Sequence, residues 1–105
     1  MELTKDIKRD IVEKICSVIK PKLIILFGSY ASGNATKDSD IDLLIIEDNF
    51  KSKFEEKNKI RKALKDIKIP KDILLVDKAK FDFYKNEPCS VYREANEKGE
   101  VLWSI

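Results

Sequence analysis

Two short motifs hold the residues of this chain best suited to chemistry. Gly28-Ser29 stands at the end of an apolar run, and Asp40-Ile41-Asp42 follows after ten intervening residues, Tyr30 to Ser39. Successive side chains of a strand alternate between faces, so at a strand mouth Asp40 and Asp42 project together while Ile41 points away. Two carboxylates held side by side repel each other, and a cation between them removes the penalty. A hard divalent ion with oxygen ligands, Mg²⁺ or Mn²⁺, is the natural occupant. Gly28, with no Cβ, lets the backbone approach a phosphate closely. Ser29 adds a hydroxyl and an amide, and if residues 29–33 turn into a helix, its first amides face the same anion. Ser39, next to Asp40, joins Gly28 and Ser29 as a candidate nucleotide contact. The arrangement is that of a nucleoside-triphosphate site built for metal-assisted phosphoryl transfer.

Such a site calls for a third carboxylate. Asp72 opens an apolar run, Asp72-Ile73-Leu74-Leu75-Val76, expected to lie beside the strand of Asp42. From there it would complete the metal's ligand set and accept the proton of an attacking hydroxyl. Asp77 has the opposite parity at the far end of that run, and Asp82 falls in a less regular segment, so both rank below it. Taken singly, each motif has a plainer explanation: Gly-Ser is common in turns, and Asp38-Ser39-Asp40 reads as a polar loop with a cap. Their joint spacing between apolar strands favours the catalytic reading. Ser32 and Lys37 read as solvated loop residues.

The elements that must position these residues follow from periodicity. Leu3, Ile7, Ile11, Ile15 and Val18/Ile19 recur at helical spacing; Thr4 can cap that helix and Pro21 ends it. Residues 22–27 (KLIILF) and 41–46 (IDLLII) read as buried strands, and residues 28–39 as a loop or a short helix plus loop. Asn49 is placed to cap a helix from Phe50 to about Lys68, with Phe50, Phe54, Ile60, Leu64 and Ile67 as its inner stripe. Pro70 closes that helix, and 72–76 is the third strand. Asp77 opens a weaker segment through Lys85. Residues 90–98 form a helix with Val91, Tyr92 and Ala95 on one side, stopped by Gly99. Val101, Leu102 and Trp103 make an edge strand or a packed tail. The expected class is α/β (α+β), a small mixed sheet packed with helices, in a single domain spanning residues 1–105.

Composition narrows the function. The 105 residues carry 21 Lys and Arg against 19 Asp and Glu, for a net charge of +2. Neither a polybasic nucleic-acid arm nor an acidic disordered tail fits that balance. The sequence has no His, which removes His general bases and His-containing zinc sites, and its two Cys are too few for a thiolate metal site. Cys16, on the apolar side of the first helix, is expected as a buried, reduced thiol. No apolar run approaches the roughly 20 residues of a membrane span. A cytoplasmic protein without direct nucleic-acid binding is expected, and an exposed sheet edge could pair copies into a homo-oligomer.

The Gly28-Ser29 and Asp40-Ile41-Asp42 spacing resembles the signature of the DNA polymerase β-like nucleotidyltransferase superfamily. The leading helix, the strand beginning at Asp72, and the tail from Tyr92-Arg93-Glu94-Ala95 to Gly99-Glu100-Val101-Leu102-Trp103 resemble its minimal nucleotidyltransferases. One departure stands out: many relatives read Gly-Ser-x-Ala-Arg-Gly where this chain has Ser32, which cannot supply a positive fork to a triphosphate. The resemblance implies the superfamily's palm fold, Mg²⁺ (two ions, replaceable by Mn²⁺) held by Asp40, Asp42 and Asp72, and transfer of AMP from ATP to a hydroxyl. Likeness to minimal members implies a small helical HEPN-type toxin as partner and a tyrosine on it as acceptor. The alternative is an antitoxin that neutralises its partner by contact alone.

Overall fold

The computed structural model describes residues 2–105, in the order α1 (Lys5–Val18), β1 (Leu23–Phe27), α2 (Ser29–Ser32), β2 (Ile41–Ile46), α3 (Lys53–Ala63), β3 (Lys71–Val76), α4 (Lys78–Tyr84), α5 (Val91–Lys98) and β4 (Glu100–Ser104). The strands form one mixed sheet in the order β3-β2-β1-β4. β1 is antiparallel to both β2 and β4, whereas β2 and β3 run parallel, with α3 in the connection between them. A parallel pair needs such a crossover. This is the mixed α and β architecture expected from the sequence.

Strand alternation divides the core into two layers. Ile24 and Leu26 of β1, Ile41, Leu43 and Ile45 of β2, and Ile73 and Leu75 of β3 pack with Ile11 and Ile15 of α1 and Ile60 of α3. Ile25 and Phe27, Leu44 and Ile46, and Val76 face the other way, against Phe81 of α4 and Ala95 of α5. Both faces of the central strands are therefore apolar, which is why 23–27 and 41–46 read as continuous hydrophobic runs rather than alternating ones. Burying each of these large side chains contributes roughly 1.5–3 kcal/mol. Among the described residues, no helix is long and apolar enough to cross a membrane.

The local signals mostly act as read. Thr4 caps α1, its Oγ1 accepting from the Ile7 amide at 3.1 Å. Asp77 caps α4 through Lys80 N–H (2.7 Å), and Ser90 caps α5 through Arg93 N–H (3.1 Å). The helix after β2 departs from expectation. It begins at Lys53, capped by Ser52 Oγ on the Glu55 amide (3.2 Å), and ends at Ala63. Asn49 instead occupies the left-handed region (φ 64°) in the connection. Phe54, expected inside, is 73% exposed, while Ile60 and Leu64 are buried and Phe50 and Ile67 pack at the margin of the first layer.

Three smaller differences have clear causes. Val91 is exposed, leaving Tyr92 and Ala95 as the inner side of α5. Gly99 does stop α5, but with extended backbone (φ −78°, ψ 164°) rather than a left-handed cap. A Cβ there would overlap the Ala95 carbonyl oxygen and Ile25 Cγ2, so the absence of a side chain lets β4 start hard against β1. Cys16 is exposed, not buried: it follows Ile15, and the next position along a helix turns off the inward stripe.

Candidate active site

β2 enters the sheet at Ile41, whose amide donates to the Pro70 carbonyl at 2.8 Å. This bond fixes the mouth of β2 against the start of β3. From there the register pairs Asp42 with Asp72. Neighbouring strands lie about 4.8 Å apart, and paired residues present their side chains to the same face. By parity that face is the one carrying Leu44, Ile46 and Val76 under α4 and α5. At its rim the helical cover runs out, and aspartates occupy positions that would otherwise be apolar. Asp42 is half-buried; Asp40 and Asp72 are exposed.

Gly28 meets Asp42 from the other side. Phe27 pairs with Asp42 across the antiparallel β1–β2 ladder, so the next residue, Gly28, passes directly over the carboxylate. Its backbone (φ 74°, ψ −153°) lies in a region open essentially to glycine, and a Cβ would overlap Asp42 Oδ2. The Gly-Ser and Asp-Ile-Asp motifs, separated in sequence, are thus one packed unit.

The loop after Gly28 turns through α2, a single turn. Ala31 and Ser32 amides both donate to the Gly28 carbonyl at 3.1 Å, and Asn34 N–H donates to the Ser29 carbonyl at 3.0 Å. The amides of Ser29 and Tyr30, which begin the turn, have no intrahelical acceptor by construction. Tyr30 is buried and anchors the loop to the first core layer. Ser32 Oγ donates to the Ser29 carbonyl (3.3 Å) and accepts from Asn34 Nδ2 (3.2 Å). Ser39 Oγ accepts from the Thr36 amide (2.9 Å), so this hydroxyl holds the turn before β2.

The electrostatics single out Asp42. Burial raises its carboxyl above the usual carboxylate range, and the charges of Asp72, Asp40 and Glu94 push it further in the same direction. Glu94, on α5, is a contributor that the sequence reading did not rank. The only available sign is that α5 packs on β1, whose end leads into Gly28, and that packing is tertiary. As the side chains stand, no three His, Cys, Asp or Glu among the described residues are gathered closely enough to enclose a metal ion. The donor chemistry nevertheless suits a hard divalent cation: the groups are all carboxylates, and the mutual repulsion at Asp42 is what such an ion would relieve.

Comparison with known proteins gives the family of the chain. Residues 8–102 match the nucleotidyltransferase domain family. Two curated relatives come from Methanocaldococcus jannaschii. "Putative protein adenylyltransferase MJ0141" is 38% identical over 77 residues, 71% of this chain and 73% of that protein. "Putative protein adenylyltransferase MJ0604" is 67% identical over 27 residues, 26% of this chain and 27% of that protein. Among solved structures, a toxin–antitoxin with AMP-PNP superposes with TM-score 0.60 at 26% identity, covering 93% of this chain and 73% of that one. A tri-AMPylated Shewanella oneidensis HEPN toxin in complex with MNT antitoxin gives TM-score 0.63 at 19% identity, covering 93% and 70%. This chain belongs to the nucleotidyltransferase domain family and is a nucleotidyltransferase.

Proposed function

We propose that the chain transfers AMP from ATP to a hydroxyl of a partner protein, a tyrosine of a small helical HEPN-type toxin, and so acts as an antitoxin. The observation that carries this reading is the packing of Gly28 on the Asp42 carboxylate, which brings phosphate-facing backbone and acidic residues to one point. Relatives described as protein adenylyltransferases, and an antitoxin solved with an AMPylated HEPN toxin, support the substrate class and partner.

Asp40, Asp42 and Asp72 would hold the divalent ions, Mg²⁺ or Mn²⁺. Bound there, the cations would neutralise charge on the phosphates and on the leaving pyrophosphate. Gly28 and Ser29 approach the distal phosphates with backbone amides and the Ser29 hydroxyl. The acceptor oxygen attacks the α-phosphorus in line; the bond from that phosphorus to the bridging oxygen of the β-phosphate breaks, and pyrophosphate leaves. Asp72, exposed at the start of β3, accepts the proton of the attacking hydroxyl. Ser39 Oγ accepts from the Thr36 amide, which leaves its O–H to donate to a phosphate oxygen as a nucleotide contact, whereas the Ser32 hydroxyl, donating to the Ser29 carbonyl, serves the loop's shape.

A second reading rests on Ser32. Many relatives place an Arg there, and here the side chain is tied into the loop, so neutralisation by contact alone is the alternative. The discriminating experiment incubates the chain, its genomic-neighbour toxin, Mg²⁺ and α-labelled ATP. The proposed activity requires label on the toxin that Asp42→Asn abolishes while the complex still forms. Neutralisation that Asp42→Asn leaves untouched, with no label in either protein, would establish the contact-only alternative.

A further inference from the structure

The positive charge of this chain is concentrated on one segment. Residues 51–71, which include α3, carry nine Lys and Arg against three Asp and Glu, while the rest of the chain carries twelve against sixteen. The near-neutral total conceals this division. A nucleic-acid footprint is read from where charge lies rather than from its sum, so the total gives no ground for expecting that such contacts are lacking.

Packing sorts the charges of α3 by side. Ile60 and Leu64 turn into the core, and the acids Glu55 and Glu56 both act on Lys59, Glu56 from 3.0 Å. Lys53, Lys57 and Arg61 recur every fourth residue, a rise of about 6 Å per step, and so form one row along the helix. Among the described residues none of the three forms an ion pair. Lys80, in the first turns of α4, joins the row at its start. β2 and β3 run parallel, so the helices that follow them begin at the same end of the sheet. Burial and the charges of Lys80 and Lys57 hold Lys53 below the usual lysine range, with Asp77 opposing them. Phe54 precedes Lys57 by three positions, which makes the two neighbours on the helix surface, and it is 73% exposed.

The make-up of this face selects its partner. A protein interface calls for an apolar centre depleted in Lys, whereas here one phenylalanine stands in a field of Lys and Arg. A membrane surface calls for an outward apolar side, and that side of α3 is buried. We propose that the face formed by α3 and Lys80 binds single-stranded nucleic acid, with Lys53, Lys57, Arg61 and Lys80 on successive phosphates and Phe54 stacked on a base. Cations that track a backbone beside an aromatic platform suit an unpaired strand, because its bases expose their faces and those of a duplex do not. α3 packs on the layer opposite the one under Asp42 and Asp72. The site is therefore independent of the nucleotidyl-transfer reading.

The test is fluorescence anisotropy with labelled oligouridylate and oligothymidylate of about fifteen nucleotides, long enough to cover such a site. A chelator in the buffer keeps divalent ions from bridging the strand to the aspartates. Both polymers should bind saturably, and the tighter one names the source, RNA or DNA. Four neutralised phosphates give the logarithm of affinity a slope of about −3 against the logarithm of salt concentration. Replacing Lys53, Lys57 and Arg61 together by Gln should weaken binding about tenfold or more and bring that slope to about −1. Phe54→Ala should weaken it by about tenfold with the slope unchanged, since stacking releases no counterions. Circular dichroism verifies that both variants are folded. Three results would each overturn the proposal: no saturable binding at about 50 mM salt, wild-type binding by either folded variant, or displacement by poly-L-glutamate as effective, charge for charge, as by unlabelled oligonucleotide. The last would assign the face to an acidic protein.

Discussion

The two ends of β2 pose the same electrostatic problem and resolve it differently. At the entrance, Asp42 is raised by burial and by three further acidic residues, Asp72, Asp40 and Glu94; no cation of the protein figures among the causes. At the exit, Glu47 is raised by burial and by a hydrogen bond to Glu56, and lysines answer the remaining charge. A shared proton and fixed lysines make the exit self-contained near neutral pH. The entrance has no such internal answer, and an external cation is the simplest one. A perturbed carboxylate therefore does not by itself mark an active site; what distinguishes the entrance is that the protein leaves the repulsion standing beside a glycine packed on the carboxylate.

Removing the central acid should have the largest effect. Asp42→Asn is expected to lower AMP transfer by about 10²–10⁴-fold, the range of a group acting directly on charge or protons at the reacting centre. Thermal unfolding should show stability unchanged or slightly raised, because three neighbouring carboxylates lose a source of repulsion. An active Asp42→Asn enzyme would break the comparison at its root.

Gly28→Ala comes next, and it affects both stability and activity. The alanine must adopt a backbone region that costs of order 1–3 kcal/mol, and its methyl group displaces the Asp42 carboxylate. Denaturant melts should register that loss, accompanied by a fall in transfer larger than the loss of folded protein explains. The control is Gly33→Ala: its φ of 84° is also positive, but a Cβ there meets nothing within 4 Å. It should destabilise by the backbone term alone.

The exit predicts a pH effect on folding. Glu47 titrates near 7 in the folded protein against 4.5 ordinarily, so the folded state holds the extra proton between those values. Its contribution to stability is complete below the lower value, declines as pH rises through the upper one, and is level above. Glu56, held below its ordinary 4.5 by the same bond, contributes stability that is already complete above that value, so it leaves the decline at higher pH as it is. The net loss between pH 5 and pH 8 should be of order 1–3 kcal/mol in chemical denaturation, and Glu47→Gln should remove it. A wild-type stability profile identical to that of Glu47→Gln would show that no such proton is held.

The two ends also differ in how far the sequence discloses them. The entrance was readable because its parts are local: two apolar runs, a Gly-Ser and an Asp-x-Asp at fixed spacing, and an Asp opening the third run. Register then does the rest, pairing Phe27 and Asp72 with Asp42. The roles of these residues in catalysis remain those proposed above. The exit was opaque because Glu47 and Glu56 meet only through the turn at Asn49 and the Ser52 cap. A helix read as starting at Phe50 gives the wrong inner stripe, with Phe54 inside instead of exposed. Side-chain capping decided that boundary over hydrophobic period. Cys16 failed similarly, one position off the inward stripe of α1. Glu94 depended on how α5 lies on β1, which no local pattern records.

Glu94 sharpens the comparison with the smallest expected effect. It is exposed on α5, and among the influences on Asp42 it ranks after burial, Asp72 and Asp40. Glu94→Gln should therefore leave stability within about 0.5 kcal/mol of wild type, as surface substitutions usually do. In the metal-free protein, the Asp42 carboxyl followed by carbon NMR should titrate at slightly lower pH, because one repelling charge is gone. Asp72→Asn should move it further in the same direction. The order of these two shifts is the critical result. If Glu94→Gln moves Asp42 more than Asp72→Asn does, the strand pair is not the principal source of repulsion, and the acidic focus of the entrance lies between β2 and α5 rather than between β2 and β3.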